Sequence, residues 1–360
     1  MKLSLLRKHI IRIMPYPFFA ALVILTCINF TEVKKELTES IYDCLDVIIP
    51  TLFPFMLLSS FAVKYGLPYK ICRFFHKPLK ILFGLSGNCL TAIITGLTGG
   101  YIVSPKNAAE LYSGGIIDIR QAKRLSLFFT APGISFCIFF AGKSVYGSFA
   151  AGLSLFISTV LSSLISAFVF NIFSRHSPEF SSKESISSLR SSMLSSVSDT
   201  ASALISICSF ILLFCFVTTI VSSSVSSPAI KFLINYLSEV TAAVKYTEES
   251  LSLRYAAFTL SFGGICILLQ QFPYISKLSI KLSHFLLSKL VQAILCCFIH
   301  NIIINIFPVV SAVSSVTGKL KASYHSPYGS LSLIVLLIIF LYTVSDISRR
   351  KNFFHPTNNY

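Results

Sequence analysis

The chain has 360 residues, of which 54% are hydrophobic and 12% charged, and its mean hydropathy is +0.76. A soluble domain usually carries a charged fraction of about 25%, so a soluble globular fold is excluded. The net charge of +16 does not point to nucleic acid, because Lys and Arg sit in short stretches between apolar runs, where they set membrane topology.

A helix needs ~20 largely apolar residues to cross the hydrocarbon core of a bilayer. In chain order, the intervals free of Asp, Glu, Lys and Arg that supply this are 13–31, 81–105, 144–174, 200–230, 255–276, 290–318 and 322–345. Two shorter runs, 47–63 and 125–142, are also candidate spans. Helices are expected because lipid leaves every backbone polar group to be satisfied within its own segment. The strict alternation of a membrane β-barrel is absent from these runs.

At the start, Lys2, Arg7, Lys8 and Arg12 precede the first apolar run. No small-residue cleavage site follows, so the reading is an uncleaved anchor span over 1–40. If all nine apolar segments cross fully, the 30 Lys and Arg divide evenly between the two faces. If 81–103 instead enters and leaves on the cytoplasmic side, the great majority fall inside, as the positive-inside rule asks. The expected architecture is therefore all-α, with about eight transmembrane helices plus one re-entrant or broken segment. Both termini are then cytoplasmic, as are 64–80, 104–124, 175–199, the stretch holding Lys277, Lys281 and Lys289, and a basic tail over 347–360.

The segment from Ile81 reads ILFGLSGNCLTAIITGLTGGYIVSPKN. Each glycine lowers helix stability by ~1 kcal/mol relative to Ala, and Pro105 follows. Gly84, Gly87, Gly96, Gly99 and Gly100 therefore predict an interrupted helix, tolerated at membrane depth only against protein or a wet cavity. The competing reading is that these glycines only allow close helix packing. A second interrupted segment, LSFGGICILLQQFP, carries Gly263, Gly264, Gln270, Gln271 and Pro273. Paired interruptions suggest two related halves meeting at a solute site, over 41–174 and 200–346, joined by a Ser-rich cytoplasmic linker at 175–199.

The residues singled out for solute binding are Gly99, Gly100, Tyr101, Ser104, Lys106, Asn107, Thr130, Pro132, Gly133, Gly263, Gly264 and Gln270. Lys106 and Asn107 set a cation and an amide beside irregular backbone, although Lys106 could equally snorkel to the interface. Within FFTAPGISF, Pro132 lacks a backbone donor and frees an upstream carbonyl; a plain kink is the alternative. For Gln270 and Gln271 an interfacial position is expected. Asp43, Asp46 and Asp199 read as helix-start charges that complement the backbone dipole.

Cys27, Cys137, Cys208, Cys215, Cys266, Cys296 and Cys297 lie within apolar runs and no CxxC occurs, so small core residues are expected rather than disulfides or a metal site. His284 and His300 are isolated. No Walker loop, HExxH or GxSxG is present, so no enzyme activity and no cofactor are expected.

The stretch IIPTLFPFMLLSSF, then GLTGGYIVSPKNAAELYSGGIIDIRQAKRL and the Pro-Gly element, resembles the nucleoside-recognition "gate" domain. More closely, with LSFGGICILLQQFPYIS further on, it resembles the sporulation integral membrane protein YlbJ family, over roughly residues 41 to 300. The resemblance implies a multi-pass protein of the inner membrane or a spore-developmental membrane, transporter-like for a small polar solute, nucleoside-like or of another class. Beyond the bilayer, it implies a homo-oligomer or other sporulation membrane proteins as partners. Ile102 stands where the family has Pro, and its polar element is reduced to Thr130-Ala131. These departures favour a second reading, a structural or assembly role without transport.

Overall fold

The computed structural model describes residues 15–66, 69–173, 188–250 and 253–307, and every regular element among them is helical. The first elements are α1 (Pro15–Ile28), α2 (Phe30–Asp43), a π-helical turn π1 (Cys44–Ile48), α3 (Ile49–Lys64) and α4 (Tyr69–Phe83). Next come α5 (Cys89–Gly99), α6 (Val103–Ser113), α7 (Ile119–Phe128), a second π-helix π2 (Phe136–Val145) and α8 (Phe149–Phe173). The remainder are α9 (Leu189–Ser223), α10 (Pro228–Ser238), α11 (Val240–Ser250), α12 (Leu253–Phe262), α13 (Gly264–Lys277) and α14 (Leu282–Ile306).

Among the described residues, five helical stretches are long and apolar enough to cross a membrane: Phe30–Lys64, Phe149–Phe173, Leu189–Ser223, Tyr255–Lys277 and Leu282–Ile306. Two of them carry a surface compatible with contact to lipid. On α8, Phe149, Leu153, Ile157, Leu161 and Ile165 are exposed, while Ser154, Ser158, Ser162 and Ser166 are buried. On α14 the exposed face is Leu287, Val291, Ile294, Phe298 and Ile302, and the buried face is Phe285, Lys289, Gln292, Cys296 and His300. Both patterns repeat at helical spacing with the apolar stripe outward, the reverse of a soluble helix. Small and polar residues inside let membrane helices approach closely and hydrogen-bond; the Ser158 hydroxyl and His300 Nδ1 are 3.0 Å apart between α8 and α14.

The described residues form two compact units. The smaller comprises 15–37 and 216–234. The larger comprises 38–215 and 235–307 and holds both glycine-broken segments, so the two expected halves contribute to one body. All ten cysteines are free.

Several expected boundaries move. The helix leading into the 47–63 run is continuous from Phe30, and the one holding 200–230 begins at Leu189. Asp43 and Asp199 therefore lie inside helices rather than at their starts, and the expected linker is helical from Leu189 onward. Likewise α14 begins at Leu282, which puts Lys289 within the helix at 1% exposure instead of in a loop. The physical reason is common to all three. A charge ends an apolar run but does not end a helix when a partner group satisfies it. The run 125–142 is broken at 130–133. The expected span 322–345, the basic tail and residues 175–187 of the linker lie outside the described residues.

Candidate functional site

The α5–α6 segment is a helical hairpin. The Asn107 side-chain amide donates to the Thr95 hydroxyl at 2.6 Å, and a Cβ on Gly96 would lie 2.6 Å from Ser104 Cβ. These pairs straddle a tip at Gly100–Ile102, where Gly100 has φ +89°, a conformation that residues with a Cβ avoid. With 11 residues, α5 is about 16 Å long, roughly half the hydrocarbon thickness.

The tip rests on a second break. Between α7 and π2, residues 130–133 are non-helical, and a Cβ on Gly133 would sit 2.8 Å from the Thr98 carbonyl oxygen and 3.1 Å from the Gly100 nitrogen. Backbone meets backbone there. This stretch is anchored from α14: the Lys289 ammonium donates to the Thr130 carbonyl at 2.5 Å, to the Thr130 hydroxyl and to Gln292 Oε1 at 3.2 Å. The Gln292 amide donates to the carbonyls of Leu127 and Phe128, each at 3.1 Å. Together they satisfy end carbonyls that a helix terminus leaves open.

A third break is the single residue Glu239 between α10 and α11. Its buried carboxylate accepts from the backbone N–H of Thr241 and Ala242, both at 2.9 Å, and from the Thr241 hydroxyl. It thereby caps α11, and a carboxylate at that end complements the helix dipole. The fourth break is Gly263–Gly264, with φ +82° and +73°. A Cβ on Gly264 would lie 3.1 Å from the Ser238 carbonyl oxygen and 3.3 Å from the Glu239 nitrogen. The Tyr101 hydroxyl donates to the Leu260 carbonyl at 2.5 Å, tying the hairpin tip to the last turn of α12.

The first three breaks contribute to an inner cavity of about 40 Å³, lined by Gly99, Gly100, Gly133, Glu239, Thr241 and Gln270 with apolar neighbours. An outer cavity of about 240 Å³ adjoins it, lined by Lys64, Lys106, Asn107, Glu110 and Asp199 among others. Ile102 and Gln270 line both. In the outer cavity Lys64 pairs with Asp199 at 2.6 Å, and Lys106 lies 3.9 Å from Asp199 and 4.0 Å from Glu110. Two cations face two carboxylates.

Gln270 joins the compartments. It is 5% exposed, its Nε2 donates to Cys266 Sγ at 3.3 Å, and its Oε1 has no partner among the described residues. The adjacent Gln271 is fully buried, and neither of its amide atoms has a partner there. Both amides are thus enclosed by protein.

Of the residues singled out from sequence, Gly99, Gly100, Tyr101, Gly133 and Gln270 line the inner cavity, and Lys106 and Asn107 line the outer one. Gly263 and Gly264 pack behind the inner cavity, against Tyr101 and the backbone at 237–239. Ser104 is buried in the hairpin beside Gly96, its hydroxyl without a partner among the described residues. Thr130 is held by Lys289, and Pro132 belongs to the same extended stretch without lining either cavity. Sequence reasoning missed Glu239, Thr241, Lys64, Asp199 and Lys289. Glu239 had one signal: a lone acid directly before VTAAV is a helix-start pattern. No family model, curated protein or solved structure matches the chain.

Proposed function

We propose that this protein carries a small polar solute across the bacterial inner membrane, or across a spore-developmental membrane, through the two joined cavities. Gln270 carries the reading: a buried amide with an open acceptor stands where both compartments meet, and buried polar groups are otherwise almost always paired. Balanced charge around the outer cavity and amide, carboxylate and backbone groups around the inner one suit an uncharged solute rich in donors and acceptors, nucleoside-like in chemistry. The outer cavity is slightly below the ~300–1,000 Å³ of ordinary small-molecule sites, which favours a small one.

In this reading the chain has about eight spans, and the α5–α6 hairpin is re-entrant. Both termini and the outer cavity face the cytoplasm. Supporting this side, Lys64, Lys106 and Asp199 come from the three stretches expected inside and converge on one cavity. The sporulation role rests on the resemblance to the YlbJ family.

A structural or assembly role is the second reading. The inner cavity, with room for about two or three waters, favours it. Uptake by purified protein in lipid vesicles, across a panel of nucleosides and other small polar solutes, separates the two. Transport predicts uptake of one class that Gln270→Leu abolishes at normal protein content. Absence of uptake across the panel supports the structural role.

A further inference from the structure

The two cavities lead toward one end of the larger unit only. π1 and α3 have 5 and 16 residues, which at about 1.5 Å per residue put Asp43 and Lys64 roughly 30 Å apart, the thickness of the hydrocarbon core. Along this helix Ile48 and Leu52 line the inner cavity, and Met56, Ser59, Ser60, Val63 and Lys64 line the outer one. At the Lys64 end the rim reaches the surface, through exposed Glu110 and half-buried Asp199.

At the Asp43 end the route stops. Cys44, Ile48, Phe140, Tyr146, Val240 and Val244 are buried in one apolar cluster. Two polar latches close over it: the Asp43 carboxylate pairs with the Lys245 ammonium, and the Tyr146 and Thr247 hydroxyls are 2.9 Å apart. Both latches grip α11. The same helix, with Glu239 before it, supplies Val240 and Thr241 to the inner cavity, and Lys245 lies about 9 Å further along it.

The grips on the other side flank the two π-helices. Asp43 directly precedes π1 and Tyr146 directly follows π2. A π-helix holds its extra residue at a cost and recurs at functional sites. The Asp43–Lys245 pair is half-exposed, and such a pair is weak enough to break and re-form.

We propose that the Asp43–Lys245 pair and the Tyr146–Thr247 contact are the gate of the far end. Their release lets α11 move away from π1 and π2, and opens the inner cavity at Glu239 to the opposite membrane face. The gate rests on the transport reading, but its test needs no solute.

In a background with the native cysteines replaced, Leu52→Cys reports on the inner cavity and Ser60→Cys on the outer one. A membrane-impermeant maleimide is applied from the face that labels Glu39→Cys, in vesicles of either orientation. With the native pair, Leu52→Cys should be protected from that face. Asp43→Asn or Lys245→Met should raise its labelling several-fold, and the exchanged pair Asp43→Lys with Lys245→Asp should restore protection. Labelling of Ser60→Cys from the other face should stay unchanged in all variants, as a check on folding. Leu52→Cys labelled from the Glu39 face with the native pair would overturn the gate. So would equal protection in every variant, or an exchanged pair as open as the single variants. A gate that fails while vesicle uptake persists refutes the gate alone; uptake that fails while the labelling behaves as stated refutes the transport reading alone.

Discussion

The Lys289 ammonium, on α14, lies 2.5 Å from the Thr130 carbonyl, 159 residues earlier in the chain. No ion pair accompanies it: among the described residues its partners are carbonyl, hydroxyl and amide oxygens. A cation placed at the C-terminal end of α7 is favoured by the helix dipole, and it fixes the stretch on which the hairpin tip rests. Replacing Lys289 by Leu should leave those oxygens buried and unpaired, costing about 1–3 kcal/mol. Thermal unfolding in detergent should show a lower midpoint than for the exposed control Lys77→Leu.

Gly100 and Gly264 supply the second prediction. Both have positive φ, Gly100 with ψ −163° in a region open essentially to glycine alone, and a Cβ in such sparsely populated conformations costs roughly 1–3 kcal/mol whatever the available space. Close packing alone would tolerate Ala. Here Gly100→Ala should already reduce solute uptake or spore yield, and Gly100→Val and Gly264→Val should abolish it while membrane abundance stays measurable. Full activity of both Val variants at normal abundance would leave ordinary spanning helices and favour the structural role.

The topology prediction concerns the proposed cytoplasmic stretches. In a cysteine-free background, maleimide added outside intact cells should miss probes at positions 70, 120 and 183. Strong external labelling at 120 would restore nine full crossings and remove the re-entrant hairpin.

For the sporulation role, deletion should spare vegetative growth and lower the count of heat-resistant spores. Normal spore counts in a deletion strain without a paralogue would remove that role.

Where local chemistry decided the backbone, the sequence was legible. Gly99-Gly100, Pro132-Gly133 and Gly263-Gly264 each mark a break, because no other residues bend a helix there so cheaply. Sequence also pointed to Gln270. It hid groups whose surroundings are made by distant chain. Reading charges as loop markers places Lys289 and Asp199 outside the helices, yet each is answered by an oxygen or ammonium far away in sequence. Glu239 was obscured for a different reason: its own helix satisfies it, and one capping acid forms no motif.

The reversed faces of α8 and α14 invert the usual mutational tolerance of a protein. On α8, exchanges among Phe, Leu and Ile at 149, 153, 157, 161 and 165 fall on the exposed apolar face, where lipid tails would accept many apolar shapes. Enlarging Ser154, Ser158 or Ser162, although these residues are polar, would push neighbouring helices apart. A substitution map of this chain would therefore show its greasiest positions as the permissive ones and its serines as the constrained ones. A hydropathy-ranked guess at the core would select the wrong side of each helix.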